Sequence, residues 1–351
     1  PSLPDAPRDD ADNGAASQTI APTSPSGFVQ VGDVFIKNNS TKALDPAWFD
    51  GSFAALLSDD APQVLIVHTH GSEAYTMPKG QEYAPTGTCR TADNSVNMIR
   101  VGDEIAAVLS SYGISVLHDR VLYDDPAYDG AYERAADAIR GYLEKYPTLS
   151  FVLDVHRDAI EDKAGHQYKV ITREDPSCAQ ISFVMGSNND HWLENVKLAV
   201  AVQQRLTDTS PTLMRPMTLR NSNYNQHLTT GSMLVEIGTA GNSLSEALRA
   251  AQKKARGKRR TALEKAMESD LAQLDSGVMP EAMDKYYGLR YEKPATLLDH
   301  LSSPIFILDE VGGIRDAQKA TEFRRSEELT GLLEEGVICP GLDVLYQTMD
   351  D

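Results

Sequence analysis

Four residues of this chain have the types and placement that metal-assisted hydrolysis requires: His70, Glu73, His156 and Glu236. All four follow apolar runs. Val64-Leu65-Ile66-Val67 leads into His68-Thr69-His70-Gly71-Ser72-Glu73, Phe151 to Val155 into His156-Arg157-Asp158, and Met233-Leu234-Val235 into Glu236. A catalytic zinc takes about three protein ligands from His and carboxylate side chains and keeps one position for water. His70-x-x-Glu73 offers two ligands on one tight turn, and His156 offers the third from another strand. The metal brings the pKa of its water to about 7, and a neighbouring carboxylate, here Glu236, can then act as general base. Each residue alone has a plainer reading: a chance HxxE, a hydrogen-bonded histidine near the surface, a helix-capping carboxylate. Three apolar strands that each end in His or Glu favour the metal.

His68 and His70 compete for the ligand role. His70 is favoured because it pairs with Glu73. His68 is then expected among the helices that cover the sheet. His118 is a weaker candidate for the rim of the site, and His166, His191, His227 and His300 have no partner pattern.

The elements that must position these residues are legible as alternating strands and helices. Strands are expected at 28–31 and 34–36 around Gly32-Asp33, then at 64–67, 114–117, 151–155, 181–186 and 233–237. Helices are expected at 95–112, 128–145, 190–207 and 243–255. This order predicts an α/β fold, with a mixed or parallel central sheet and helices on both faces. Chemistry then gathers at the carboxyl ends of the strands.

Composition narrows the function classes. A net charge of −18 over 351 residues weighs against nucleic acid or anionic membrane as partners of the whole chain. Cys89, Cys178 and Cys339 form no CxxC pair, so neither a cysteine zinc site nor a disulfide framework is indicated. No apolar run of about 18 residues could span a membrane. Residues 1–27 contain five prolines and no hydrophobic period, and are expected to be a flexible tether. The chain starts at Pro1, so a signal or anchor upstream of it is a further expectation.

Four segments carry a resemblance to a known family: VLIVHTHGSEAY (64–75), RTADNSVNMIRVGDE (90–104), LDVHRDA (153–159) and YNQHLTTGSMLVEIG (224–238). Over about 28–250 the sequence resembles stage II sporulation protein P, a family of N-acetylmuramoyl-L-alanine amidases. The resemblance implies a zinc-dependent peptidoglycan hydrolase with His70, Glu73 and His156 as Zn2+ ligands and Glu236 as general base. It suggests substrate-binding roles for Arg100, Arg157, Asn225 and Gln226, each of which could instead hold structure. It further implies an anchored, extracytoplasmic enzyme at the sporulation septum during engulfment, with septal protein partners. A zinc carboxypeptidase-like peptide hydrolase with the same ligands is the alternative reading.

After residue 252 the character changes. Six positive charges fall in 253–260, an amphipathic helix is expected at about 259–275, further helices at 294–301 and 314–335, and a strand at 305–310. YEKPATLLDHL (291–301), IFILDE (305–310) and LEEGVICP (333–340) make 255–351 resemble a fragment from the amino-terminal region of the transcription-repair coupling factor. The expected organisation is thus a tether at 1–27, an amidase domain at 28–252 and this fragment, a small α/β segment, at 253–351. No GxxxxGK[ST] loop is present, so ATP is not expected as a ligand. The basic run could touch nucleic acid weakly, although such a run more often lies on a solvated helix face. An accessory role in DNA repair through this segment is the alternative function from a different class.

Overall fold

The computed structural model describes residues 13–280 apart from 59, 81, 84–88, 209 and 254–257, together with 310, 319 and 321. The chain divides into two compact units, Pro1–Ala255 and Arg256–Asp351. In chain order the first unit contains β1 (Ala16–Gln18), β2 (Val29–Val31), β3 (Val34–Asn39), β4 (Val64–Val67), α1 (Met98–Ser110), β5 (Val116–His118), α2 (Ala131–Lys145), β6 (Phe151–Asp158), β7 (Tyr168–Val170), β8 (Ile181–Gly186), α3 (Trp192–Thr207), β9 (Met217–Arg220), β10 (Ser232–Thr239) and α4 (Leu244–Ala251). Eight strands form one sheet in the order β2-β3-β9-β8-β10-β6-β4-β5. The β2–β3 and β10–β8 pairs are antiparallel and the others parallel. The architecture is the expected mixed α/β sheet.

Period-two alternation decides what each face of this sheet does. On one face Ile36, Leu219, Met185, Ile237, Val155 and Ile66 belong to a single core. Met98 and Val101 of α1, Val196 and Ala199 of α3, and Leu244 and Leu248 of α4 pack into it. On the opposite face Leu65, Val67 and Val152 pack against Ile139 of α2. Further along that second face, the residues that alternate with the core are Lys37, Thr218, Val184, Leu234, Glu236 and His156, and these line a cavity.

The helices begin where local chemistry satisfies their free N–H groups. Asn97 caps α1 by accepting from the Ile99 N–H at 3.0 Å, and donates from Nδ2 to the Thr91 carbonyl at 3.1 Å. The segment before α1 is thereby tied to the helix start. Ser243 and Glu246 form a reciprocal capping box at the start of α4.

Residues 13–27 correct the expectation of a tether. Strand β1 pairs in parallel with β7. Asn13 donates to the carbonyls of Thr76 and Gly241, Thr19 to that of Ile171, and the Ile20 N–H to Gln180 Oε1. Backbone pairing with a distant partner needs no hydrophobic period, so composition alone hides it. β7 and β9 were not expected either, being only three and four residues long.

In the second unit α5 spans Lys258–Asp275, close to the expected 259–275. The expected helix at 294–301 lies outside the described residues, as do the expected strand at 305–310 and helix at 314–335 apart from Glu310, Lys319 and Thr321.

Candidate metal centre

The loop after β4 turns sharply, with the Glu73 N–H donating to the His70 carbonyl at 3.1 Å. Two carboxylates clamp it. Asp154 accepts from the Thr69 N–H at 2.8 Å and the Thr69 hydroxyl at 2.6 Å. Asp124 accepts from the Ser72 N–H at 3.0 Å and the Ser72 hydroxyl at 2.6 Å. Glu73 is held in turn: the Arg157 N–H donates to Oε2, Arg90 Nη2 donates to Oε1 at 3.2 Å, and Arg157 Nη1 lies 3.7 Å from Oε1.

This brings His70, Glu73 and His156 together. One potential ligand atom of each lies within 4.8 Å of those of the other two, and all three residues are buried. His70 Nδ1 is 3.8 Å from Glu73 Oε1, and His156 Nδ1 is 3.7 Å from Glu73 Oε2. Asp154 Oδ1 lies 2.9 Å from His156 Nε2, the ring atom turned away from Glu73. Carboxylates in that position fix the ring orientation of metal-ligating histidines. Two imidazoles and one carboxylate, with His156 and Glu73 held by outer partners, are a donor set that fits zinc.

The electrostatics are those of a compressed charge cluster. Burial lowers the pKa of His70 to about 4, and the neighbouring His156 adds to this. Burial works to raise Glu73, but the His156 side chain and the Arg157 charge outweigh it and bring the carboxyl to about 2. Burial works to lower His156, but Asp154 and Glu73 raise it well above the usual imidazole range.

Glu236 comes from β10, in register with His156 on β6 and Ser182 on β8. It lines the same cavity of about 410 Å³ as His70, Glu73 and His156. Burial raises its pKa to about 8, with Asp158 and Glu73 adding to the rise while His156 and Arg215 oppose it. Its Oε2 has no hydrogen-bond partner among the described residues.

Each of the four residues expected to bind substrate has a partner within the fold, and Arg157 also lines the cavity. Arg100 is buried on α1 and pairs with Glu104 at 2.9 Å, and Glu104 accepts from Gln252 just after α4. It ties helices on the far face of the sheet. Arg157 is spent on the metal loop, donating to the carbonyls of Ala74 at 2.9 Å and Cys89 at 3.1 Å besides contacting Glu73. Asn225 donates to the Tyr132 carbonyl at 2.8 Å. Gln226 is fully enclosed, accepts from the Gly186 N–H and donates to the Val184 carbonyl. Spacing cannot separate a loop-tying amide from a ligand-binding one. His118 likewise leaves the rim: it pairs with His68 at 2.8 Å and with Asp103 at 3.0 Å. Sequence reasoning missed Asp154, Asp124 and Arg215. Asp154 had a detectable signal, an acid at i−2 from His156 and so on the same face of the strand.

The comparisons can now be set beside this geometry. The family model for stage II sporulation protein P matches residues 12–257. The chain belongs to the stage II sporulation protein P family. The family match begins before β1, in accord with the ordered residues 13–20. Stage II sporulation protein P of Bacillus subtilis (strain 168) is 27% identical over 204 residues, 55% of this chain and 49% of the relative. The chain thus spans about half the length of that curated relative. Transcription-repair-coupling factor of the same organism is 33% identical over 105 residues, 29% of this chain and 9% of that protein. Among solved structures, N-acetylmuramoyl-L-alanine amidase AmiC2 of Nostoc punctiforme is similar at 12% identity and a TM-score of 0.32, covering 55% of this chain and 94% of that one. The CwlD amidase from Clostridioides difficile, solved in complex with the GerS lipoprotein, gives 12% identity and a TM-score of 0.35, covering 54% and 95%.

Proposed function

We propose that this chain is a zinc-dependent N-acetylmuramoyl-L-alanine amidase, cleaving the amide between N-acetylmuramic acid and L-alanine in peptidoglycan during sporulation. The observation that carries the proposal is the convergence of His70, Glu73 and His156 ligand atoms within 4.8 Å in a cavity that also exposes Glu236. Membership of the sporulation family supports the substrate class. That substrate sets the location as extracytoplasmic, at the septal envelope, where protein partners would meet the enzyme. No helix among the described residues is long and apolar enough to cross a membrane.

His70, Glu73 and His156 would hold the zinc. Bound there, it would supply Lewis-acid polarisation of the scissile carbonyl and a more acidic water. Asp154 keeps the His156 ring turned, and Arg90 with Arg157 keeps Glu73 charged and in place. Glu236 Oε2 is free of other partners among the described residues; with the metal's positive charge opposing the burial that otherwise keeps this carboxyl protonated, it would take a proton from the attacking water and return it to the departing amine. Tyr128 stacks on the His70 ring at 4.5 Å and shields it from bulk water.

Metal analysis together with muropeptide release from purified sacculi tests the proposal. The wild type is expected to carry about one zinc per chain, and His70→Ala to lose most of it. Glu236→Ala should retain the metal and lose hydrolysis, by about 10²- to 10⁴-fold for a missing general base. Full zinc and full activity in His70→Ala would show that the ligand assignment is wrong.

A further inference from the structure

Arg215 lies just before β9, where its N–H donates to the Ile181 carbonyl. Its side chain crosses β8 and β10 to the end of β6, where Nη1 donates to Asp158 Oδ2 at 2.8 Å. The residue is only 6% exposed, yet it lines the cavity that contains Glu236. Nε and Nη2 are buried and have no hydrogen-bond partner among the described residues.

A buried, unpaired guanidinium edge is costly, since an unsatisfied buried donor loses its hydration without replacement, and a charged donor loses most. Such edges persist in native structures when function uses them. The two free donors form one side of the guanidinium, and a planar two-donor fork matches a carboxylate bidentately. Asp158 occupies the other side and fixes the direction in which the fork points. Lys37 and Arg220 line the same cavity on the β3–β9 side, while the carboxylates Glu73, Asp158 and Glu236 line it as well, so the free guanidinium edge itself must supply the anion preference.

We infer that Arg215 is a substrate-binding residue whose Nε–Nη2 edge receives a carboxylate of the acidic stem peptide, next to the scissile amide. This inference rests on the amidase reading for the identity of the peptide. The carboxylate anchor fixes the peptide side of the substrate at the strand ends beside Glu236.

The test is titration calorimetry of the zinc-loaded full chain with a synthetic alanyl-glutamyl stem peptide, its carboxylates free or converted to amides. The wild type is expected to prefer the acid by on the order of 10²-fold, the scale of a lost buried charge-assisted pair. Arg215→Gln should abolish the preference while keeping its zinc. Arg215→Lys, which keeps the charge but not the fork, should retain a smaller preference. Equal binding of acid and amide by the wild type overturns the inference, and so does an undiminished preference in Arg215→Gln. Should that variant fail to fold, the wild-type ratio and Arg215→Lys still decide. Binding is read without turnover, so the two failures separate. A preserved acid preference with no muropeptide release would sink the amidase reading alone. Release without any preference would sink the anchor alone.

Discussion

Two histidine pairs, one built on His70 and the other on His68 two residues before it, have opposite surroundings; His68, His70 and His156 are buried and His118 is half-buried. His70 and His156 face Glu73, Asp154 and the cavity. His68 and His118 face each other, with His68 Nδ1 2.9 Å from the Val155 carbonyl and His118 Nδ1 3.0 Å from Asp103. The first pair keeps nitrogens turned toward a shared carboxylate and open space. The second uses its nitrogens in a closed chain on the core side of the sheet. Burial alone therefore does not make a histidine a ligand. What distinguishes His70 and His156 is that they share one carboxylate, Glu73, beside an unfilled volume, and the turn after β4 rather than strand alternation separates His70 from His68.

The comparison can be broken most severely at Glu73. Glu73→Gln removes the anion that balances Arg90, Arg157 and both ligand histidines. Breaking a buried ion network of this kind costs about 3–5 kcal/mol, so a large fall in thermal midpoint together with zinc loss is expected. A variant that stays stable and zinc-loaded would show that this carboxylate organises nothing.

The second pair is broken at Gly102 on α1, where an added Cβ would lie 2.4 Å from His68 Nε2 and 2.5 Å from His118 Nε2. Gly102→Ala should destabilise the fold by about 1–3 kcal/mol through overpacking, yet leave zinc stoichiometry unchanged. Calorimetry and metal analysis on one sample check both halves of that statement. Concurrent zinc loss would mean that the two pairs are not independent.

A milder change sharpens the contrast. Asp154→Asn keeps the size of the side chain but weakens its hold on His156. Zinc affinity should drop by about 10- to 100-fold, measured by competition with a chelator. The matching change at the other pair, Asp103→Asn, should leave zinc affinity within error.

The smallest expected effect is a pH slope in the zinc-free protein. Glu236 has its pKa raised from 4.5 to about 8 in the folded state. The folded form therefore holds this proton more tightly than the unfolded form does. Its contribution to stability is present in full below about pH 4.5 and is lost as pH rises through about 8. In chelator, Glu236→Gln should thus gain thermal midpoint relative to wild type between pH 6 and 9. A difference that is flat across this window would remove burial as the dominant influence on Glu236.

Much of this was legible because the signals are local. An apolar run of four or more residues that ends in His or Glu reports both a buried strand and what emerges from it. The helices at 98–110, 131–145, 192–207 and 244–251 were likewise visible from period and caps. Arg100 shows where local reading stops. It sits in a motif-like segment where a substrate role and a salt bridge on the helix were both open, and the structure shows the pair with Glu104 four residues on. β1 shows the same limit, since its pairing with β7 spans about 150 residues of chain and leaves no trace in composition.

By itself, then, the sequence determined the strand and helix order and the residue types at each strand end. These follow from backbone periodicity and apolar runs, which operate over a few residues. Tertiary structure alone decided that Glu236 stands in register with His156 and that Arg215 reaches across two strands to Asp158. Those relations join segments tens of residues apart. They are set by the cooperative burial of a shared core, which no short window of sequence contains.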